Sequence, residues 1–403
     1  MKNKHLLIVG GRDHTLDKVE KLGVRYSMLQ IPELVNKRQF ENAERYAVVD
    51  YENLDEVLSI ARAWHCLDPF DAVVSFTEYG LLPASQCAID LGIPGDNLSA
   101  VQVTRDKIKM RALLERHALS PVRHQMCQTL AESRVFLQQL GDSSMVLKPF
   151  AGGLSEGVYF VHNESELEEK WGWTREATSG PILAEEFLQG PEFSVESISL
   201  HGKHEVVMIT EKLTTELPRF IELGHQAPAR LDVQTNERIH QLVTDFLNVI
   251  GQQTSPAHTE IRLTSSGPKI IESQTRIGGD QIWEICQMVS GVDLMSETIA
   301  TLVGLPLPQR EAVADAAAIR FFSYENVKVR EVSGISDAAQ YPGVVRLLCS
   351  LREGMDIGTM VSSDSRQGYV LCTGSSPEEA VYRAEAARDA VIVNTIETLT
   401  LSS

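Results

Sequence analysis

Glu260 and Glu272 flank a short polar stretch, Thr264 to Pro268, and each sits in an alternating run: His258-Thr259-Glu260-Ile261-Arg262-Leu263 before it, Lys269-Ile270-Ile271-Glu272-Ser273-Gln274-Thr275-Arg276 after it. A hairpin with Ser266 at its centre puts the two carboxylates directly opposite each other, with Cβ atoms about 5 Å apart. Ile261, Leu263 and Ile271 then share the other face, which serves as a core. Opposed carboxylates repel, and one pKa rises unless a cation lies between them. Mg²⁺ suits the gap, because it takes few protein oxygens and completes its shell with phosphate; Mn²⁺ is the alternative ion. A surface hairpin whose glutamates pair with Arg262 and Lys269 would give the same spacing.

Two further segments carry chemistry of a related kind. In Val146-Leu147-Lys148-Pro149-Phe150-Ala151-Gly152-Gly153-Leu154-Ser155-Glu156-Gly157-Val158 a lysine leaves an apolar strand into a glycine-rich loop. Its charge, beside backbone N–H groups that can approach closely, suits a polyphosphate. The lysine precedes the glycines, so this is not a G-x-x-x-x-G-K-[ST] loop. In Ile182-Leu183-Ala184-Glu185-Glu186-Phe187-Leu188-Gln189-Gly190-Pro191-Glu192-Phe193 an apolar strand runs into two acids, a crevice wall fit for a planar ring such as adenine, and Glu192 past the Gly190-Pro191 turn could accept from ribose hydroxyls. A glycine-rich hairpin and a solvated strand end remain the structural alternatives.

The elements that position these residues read as follows. Leu6 to Val9, Gly10-Gly11, Thr15 to Leu22, Tyr26 to Ile31, Ala72 to Phe76 and Leu82 to Asp90 give strand, turn, helix, strand, strand and helix, a doubly wound parallel sheet. Gly10-Gly11 lacks the full dinucleotide fingerprint and reads as a turn. A break near Leu91 to Gly95 precedes a helix from Thr104-Arg105-Asp106-Lys107 to about His117. From Met145 to Glu272 period-two alternation joined by turns such as His201-Gly202-Lys203 predicts antiparallel sheet in an α+β unit. Beyond Pro308 come short strands at Ala317 to Phe322, Gly343 to Leu348 and Gly368 to Cys372, then a final helix opened by Ser376-Pro377.

Composition narrows the function classes. A net charge of -18 over 403 residues excludes an extended positive field, so nucleic acid and anionic membrane are not expected partners. The six cysteines show neither metal spacing nor a disulfide framework and read as reduced, mostly buried thiols. Leu6 to Val9 is too short for a signal core, and no apolar run approaches membrane-spanning length, so a cytoplasmic protein is expected.

The order Lys148, Glu185/Glu192, Glu260/Glu272 resembles the ATP-grasp superfamily, from about Lys107 to Gly279, and Asp106-Lys107-Ile108-Lys109-Met110-Arg111 looks like its helix start bearing the first ATP lysine. Within it, His258 to Arg262, Glu272 to Gly279 and Gly224-His225-Gln226-Ala227-Pro228-Ala229, expected as a loop over the site, look most like the bacterial L-amino acid ligases that make dipeptides. The resemblance implies α/β and α+β architecture: a doubly wound N-terminal domain (1–103), a central ATP-grasp domain (104–310, with subdomains 104–181 and 182–310 closing on ATP) and a small C-terminal α+β cap (311–403). It implies ATP with Mg²⁺ as cofactors, small amino-acid or carboxylate substrates, and a homodimer as the assembly to look for.

By the same resemblance Lys107, Lys148, Ser155, Glu185, Glu186, Leu188 and Glu192 would hold the nucleotide. Glu260 and Glu272 would hold the metal, with Gln274 standing where many members have asparagine. His225, Arg276, Gly279 and Asp280 would meet the amino-acid substrate. Arg276 would stabilise an acyl phosphate and the tetrahedral intermediate, although a salt bridge to a neighbouring acid would equally account for it. His258 would orient substrate or act as a weak base, or be an ordinary hydrogen-bonding histidine. Asp280 would meet the donor's ammonium, or simply cap a helix beginning there. The expected reaction joins a carboxylate to an amine through an acyl phosphate, releasing ADP and phosphate, in peptide-antibiotic biosynthesis. The rival readings are a carboxyphosphate-using carboxylase or purine-type ligase, and an inactive nucleotide-binding regulator.

Overall fold

The structure, a computed structural model, describes residues 4–141, 143–150, 156–215 and 217–397. Its N-terminal sheet is built from β1 (His5–Val9), β2 (Arg25–Gln30), β3 (Tyr46–Val48) and β4 (Ala72–Val74), all parallel, in the order β3-β2-β1-β4. Every residue of β1 is buried, as a strand covered on both faces requires, and this is why it reads as an unbroken apolar run. Helices α1 (Asp13–Lys21), α2 (Lys37–Asn42), α3 (Leu54–Leu67) and α4 (Leu81–Leu91) connect the strands. The strand order reverses between β1 and β4, so the loops after these two strands open a crevice at their carboxyl ends. Gly80 is there because a Cβ would come within 2.2 Å of the Val9 carbonyl and 2.4 Å of Ser75 Oγ. That close approach fixes the neighbouring Glu78.

After α5 (Leu98–Thr104) and α6 (Lys107–Arg116), a four-stranded antiparallel sheet is made by β5 (His124–Cys127), β6 (Met145–Pro149), β7 (Tyr159–Val161) and β8 (Ile182–Glu186), in the order β5-β8-β6-β7. Helices α7 (Leu130–Leu140) and α8 (Glu164–Glu176) close its core. Lys148 leaves this core on β6, and Glu185 on β8 lies beside it; Ser155 and residues 151–154 of the glycine-rich loop fall outside the described residues.

The large sheet has eight strands. β9 (Glu192–Leu200), β10 (Lys203–Thr214), β11 (Glu222–Ala227), β12 (Ser255–Thr264) and β13 (Gly267–Gln274) are joined by β14 (Ala316–Phe321), β16 (Val344–Cys349) and β18 (Gly368–Gly374), in the order β13-β12-β9-β10-β11-β14-β18-β16. Gly224 to Ala227, expected in a loop, is the centre of β11: its backbone is paired on both sides, to β10 and to β14. Helix α9 (Val233–Ile250) lays Ile239, Val243, Phe246, Leu247 and Ile250, all buried, along one stripe behind the sheet. Burying each such side chain stabilises the fold by about 1.5–3 kcal/mol, and the stripe makes the β12/β13 hairpin a rigid platform.

In that hairpin Glu260 pairs with Glu272, as expected, but not for the reason the turn suggested. The turn is two residues, Ser265 and Ser266, and Ile261 pairs with Ile270, Arg262 with Lys269 and Leu263 with Pro268; an irregularity between Glu260 and Ile261 then shifts the register by one. A bulge at Ile271 therefore restores the Glu260–Glu272 pair. It also exchanges two isoleucines. Ile270 is fully buried opposite Ile261, whereas Ile271, expected in the core, lines the cleft beside Glu272.

Helices α10 (Ile282–Ser290) and α11 (Leu294–Val303) follow β13. The C-terminal part then does two things. Three of its strands extend the large sheet, while β15 (Val327–Ser333), β17 (Asp356–Ile357) and β19 (Ile392–Glu397) form a separate small sheet, with α12 (Ile335–Ala338) and α13 (Pro377–Asp389) packed nearby. Ser376 caps α13 by accepting from Glu379 N, with proline at the first helical position, but α13 does not end the chain's structure because β19 comes after it. Four of the six cysteines are buried and none is bonded to another.

Candidate active site

A cleft of about 850 Å³ lies between the four-stranded sheet and the β12/β13 hairpin. Lys107, Lys148, Glu185, Glu186, Leu188, Glu192, Glu260 and Glu272 all line it, so the structure gathers eight of the residues singled out from sequence into one place. Phe187 and Phe220 supply aromatic faces, and the Arg262 guanidinium lies 5.4 and 5.3 Å from their ring centroids.

The employment of individual residues differs from the expectation in several places. Glu185 is buried and holds two cations, the Lys148 ammonium at 2.6 Å and the Arg111 guanidinium. Burial alone would raise its pKa, but Arg111 and then Lys148 hold the carboxyl well below the usual carboxylate range. It is thus a fixed anion that aims Lys148, rather than an acid free to meet a ring. Arg111 was named in sequence only as part of a helix start; it donates to the Ile270 and Ile271 carbonyls at 2.6 and 2.8 Å and ties α6 to the hairpin. Its place one helical turn after Lys107 was the available signal. Glu186 accepts from Arg123 at 2.8 Å on the rim.

Glu192 lies between Lys212 at 2.8 Å and Arg262 at 2.9 Å. Lys212, which the sequence reading passed over, is buried behind this side of the cleft. It reaches Glu260 at 2.6 Å and Glu222 at 3.4 Å as well. Its burial would lower its pKa, but Glu192, Glu260 and Glu222 raise it well above the ordinary lysine value. The cation beside Glu260 is therefore an ammonium from β10. Glu272 faces Lys107 at 3.9 Å and accepts from Gln274 Nε2 at 2.9 Å. Phase on the strand does not single out Lys212, because Met208, Ile209 and Thr210 are all buried.

His258 is buried, with Nδ1 on Glu196 and Nε2 3.5 Å from Glu260. Burial would lower its pKa, yet Glu196 and Glu260 raise it to about 9. The two carboxylates favour the charged ring, which they hold in position between them. Glu196 also accepts from Gly278 N at 3.2 Å. A Cβ on Gly278 would come within 2.7 Å of His258 Nδ1, whereas one on Gly279 would meet nothing within 4 Å. Of the two glycines it is Gly278 that the packing demands.

Arg276 donates Nε to Glu78 at 2.9 Å and Nη1 to the Ile277 carbonyl at 2.8 Å, which is the salt bridge to a neighbouring acid weighed for it. Its partner comes from the crevice of the N-terminal sheet, so Arg276 stands where that sheet meets the hairpin. Asp280 is not a helix cap: α10 starts after Gln281, with no side-chain cap. Its carboxylate is held by Arg366 at 2.7 and 2.8 Å and lies 3.3 Å from His225 Nε2. Burial would raise its pKa, but His225 and Arg366 keep it well below the usual range. Asp280 is thus committed to partners within the chain rather than open to a substrate ammonium. His225 is fully buried on β11, not in a loop.

Comparison with known proteins follows the same layout along the chain. Residues 16–95 match the ATP-grasp N-terminal domain, 142–284 the ATP-grasp domain and 320–395 the L-amino acid ligase C-terminal domain 2. The crystal structure of the L-amino acid ligase from Bacillus licheniformis is similar over 98% of this chain and 99% of that one, with TM-score 0.83 and 26% identity. A Sinorhizobium fredii protein, y4rH, is 26% identical over 89% of this chain and 74% of its own length. Alanine–anticapsin ligase of Bacillus subtilis is 27% identical over 60% of this chain, and the matched part spans 55% of that enzyme. No helix among the described residues is long and apolar enough to cross a membrane.

Proposed function

We propose, for a chain that is an ATP-grasp ligase with the C-terminal domain of the L-amino acid ligases, that it joins the carboxylate of one amino acid to the amine of another, giving a dipeptide, ADP and phosphate. The observation that carries this reading is the division of charge in the cleft. On the β6/β8 side two cations, Lys148 and Arg111, share one carboxylate. On the β12/β13 side Glu260 and Glu272 line the cleft as cross-strand neighbours. A polyphosphate is drawn to the first pole and a divalent cation to the second.

A carboxylate is a poor electrophile, being charged and without a leaving group. Phosphorylation removes both obstacles, and phosphate departs when the amine attacks. The chain's contribution is positioning and charge stabilisation. Lys148, aimed by Glu185, and Lys107 hold phosphate oxygens; Phe187, Phe220 and the Leu188 backbone enclose the base; Glu192 stands at the ribose. Arg276, released from Glu78 or shared with it, stabilises the acyl phosphate as charge builds on oxygen.

The residues present fit Mg²⁺. Glu260 and Glu272 are cross-strand neighbours offering hard oxygens, and Gln274 Oε1 is buried with no hydrogen-bond partner, two positions along from Glu272. The remaining ligands of such an ion would come from phosphate and water. There Mg²⁺ would neutralise charge on the transferring phosphoryl group. A cytoplasmic setting and small-molecule substrates agree with the net charge of -18. Synthesis of a small peptide antibiotic is the setting suggested by the likeness to alanine–anticapsin ligase. A phosphate-release screen over pairs of amino acids, with mass spectrometry of the products, tests the reading. ADP, phosphate and a dipeptide are expected; AMP with pyrophosphate, or turnover without any amide, would overturn it.

A further inference from the structure

Behind the cleft, one arginine of the C-terminal part reaches Asp280 and β11 together. Arg366 follows the short 3-10 turn Ser363–Ser365 and is 8% exposed. Besides its paired bonds to Asp280, it donates Nη1 to the Glu222 carbonyl at 3.2 Å and Nε to the Ser363 carbonyl at 2.6 Å. Its guanidinium lies 3.7 Å from the centroid of the Phe321 ring. Ser363 Oγ donates to one oxygen of the Glu222 carboxylate, and the other accepts from Lys212 at 3.4 Å. The turn thus grips both ends of Glu222, the backbone through Arg366 and the side chain through Ser363.

The other object of the grip is unusual backbone. Asp280 and Gln281 are successive non-glycine residues with φ of 52° and 62°, in the left-handed region that side chains other than glycine's disfavour. Such a pair persists only where surrounding contacts hold it. His225 on Asp280 and Arg346 on Gln281 contribute, and the contact that grips both oxygens of Asp280 is the fork of Arg366, a geometry a guanidinium meets and an ammonium does not. The turn sits immediately after Arg276 to Gly279, so its conformation fixes how Arg276 leaves β13, while the Glu222 carboxylate fixes Lys212 from behind.

We propose that Arg366 is a positioning residue for the ligation step, setting Arg276 through the Asp280-Gln281 turn and Lys212 through Glu222, with Ser363 as its aid. It touches none of the residues assigned to the base, ribose or Lys148 phosphate site, and Glu192, which meets Lys212, is held by Arg262 as well. Its loss therefore slows the reaction and leaves nucleotide affinity in place. The inference rests on the ligase reading above, and it assigns to the C-terminal part a direct share in the site rather than a cover over it.

The experiment uses the full chain and measures ADP release and amide formation. Arg366→Ala should lower kcat by about 100-fold, the scale of a small misplacement of reacting groups, with KM for ATP within about twofold of wild type. Added guanidinium chloride at non-denaturing concentration should return about tenfold of that loss, and Arg366→Lys should remain close to the alanine variant because it cannot form the fork. Ser363→Ala, a smaller change suited to the case where Arg366→Ala unfolds, should lower kcat by about tenfold, again without a change in KM for ATP. A kcat within about threefold of wild type in both Arg366→Ala and Ser363→Ala, or a rise in KM for ATP equal to the fall in kcat, overturns the proposal, since the scale of a positioning effect would be absent. So does a folded Arg366→Ala protein that guanidinium leaves unchanged. Failure of the ligase reading shows elsewhere, in wild type that releases ADP without amide; the response of ADP release to these variants still decides the role of Arg366.

Discussion

Lys148 lines the cleft and Lys212 is buried behind its Glu192 and Glu260 wall; both are held by glutamates, yet their surroundings differ in kind. Lys148 shares a single carboxylate with Arg111 and keeps 13% of its side chain exposed; Lys212 is 1% exposed and meets three carboxylates. The first is a cation with charge to spare for an incoming anion. The second is itself the counter-ion for a set of acids that would otherwise repel one another. What the difference teaches is that exposure and the ratio of partners, not the residue type, separate a ligand-binding lysine from a structural one that also shapes a site.

Removing each lysine should break the comparison in opposite ways. Lys212→Met should abolish turnover and lower stability by about 3–5 kcal/mol, read from urea unfolding, because buried acids lose their counter-ion. If the variant unfolds at the wild-type midpoint, the carboxylates are not relying on Lys212. Lys148→Ala should cost about 10²–10³ in kcat and weaken ATP binding, yet shift stability by no more than about 1 kcal/mol because Arg111 still satisfies Glu185. Wild-type turnover in this variant would remove Lys148 from the phosphate site.

A finer division concerns the acids. Glu272→Gln should raise the Mg²⁺ concentration needed for half-maximal activity by about tenfold or more while leaving the lysine cluster intact. Glu260→Gln should do the same and also destabilise, since it takes one of the three partners from Lys212. Magnesium-dependent activity unchanged in both would end the paired-carboxylate reading.

The smallest effect is a control for burial without a cation. Asp96 is buried, one of its oxygens lacks a partner, and burial pushes its pKa up to about 7 against a hydrogen bond from Ser255. Its folded pKa lies above the unfolded value near 3.8, so the folded state binds the proton more tightly and stability falls as pH rises from about 4 to about 7. Asp96→Asn should therefore match wild type near pH 4 and exceed it by about 2–4 kcal/mol at pH 8. Parallel unfolding midpoints for the two proteins across that range would refute this. The contrast with Glu260, where burial would raise the pKa but Lys212 and His258 hold it well below the usual range, is the point of the measurement.

Much of this was legible in the sequence because period and charge were both visible there. The parallel order of the first sheet followed from its alternation of strands and helices, and seven of the eight lining residues from three strand segments, with Lys107 coming from the helix start that the resemblance pointed to. The Glu260–Glu272 pairing was right through a cancellation: the turn is one residue tighter than supposed, and the bulge at Ile271 makes up the difference. Bulges leave no composition signal, and neither do partners distant in sequence. Arg111, Lys212, Glu196 and Arg366 were missed for that second reason: each is ordinary on its own and acquires meaning only beside Glu185, Glu260, His258 or Asp280. Gly224 to Ala227 was expected in a loop by resemblance, whereas Gly224, His225 and Gln226 pair with strands on both sides, a context that overrides the weak strand preference of glycine.

The continuity of the eight-stranded sheet past residue 310 bears on anyone who would cut this protein. A fragment ending there would strip β14 from β11 and leave Gly224 to Ala227, together with the buried His225, along a naked edge of unpaired N–H and C=O groups. Edges of that kind recruit other chains. The excised catalytic half would be expected to precipitate, and in the course of descent the C-terminal part could have been exchanged only for another that brought a strand to fill the same gap.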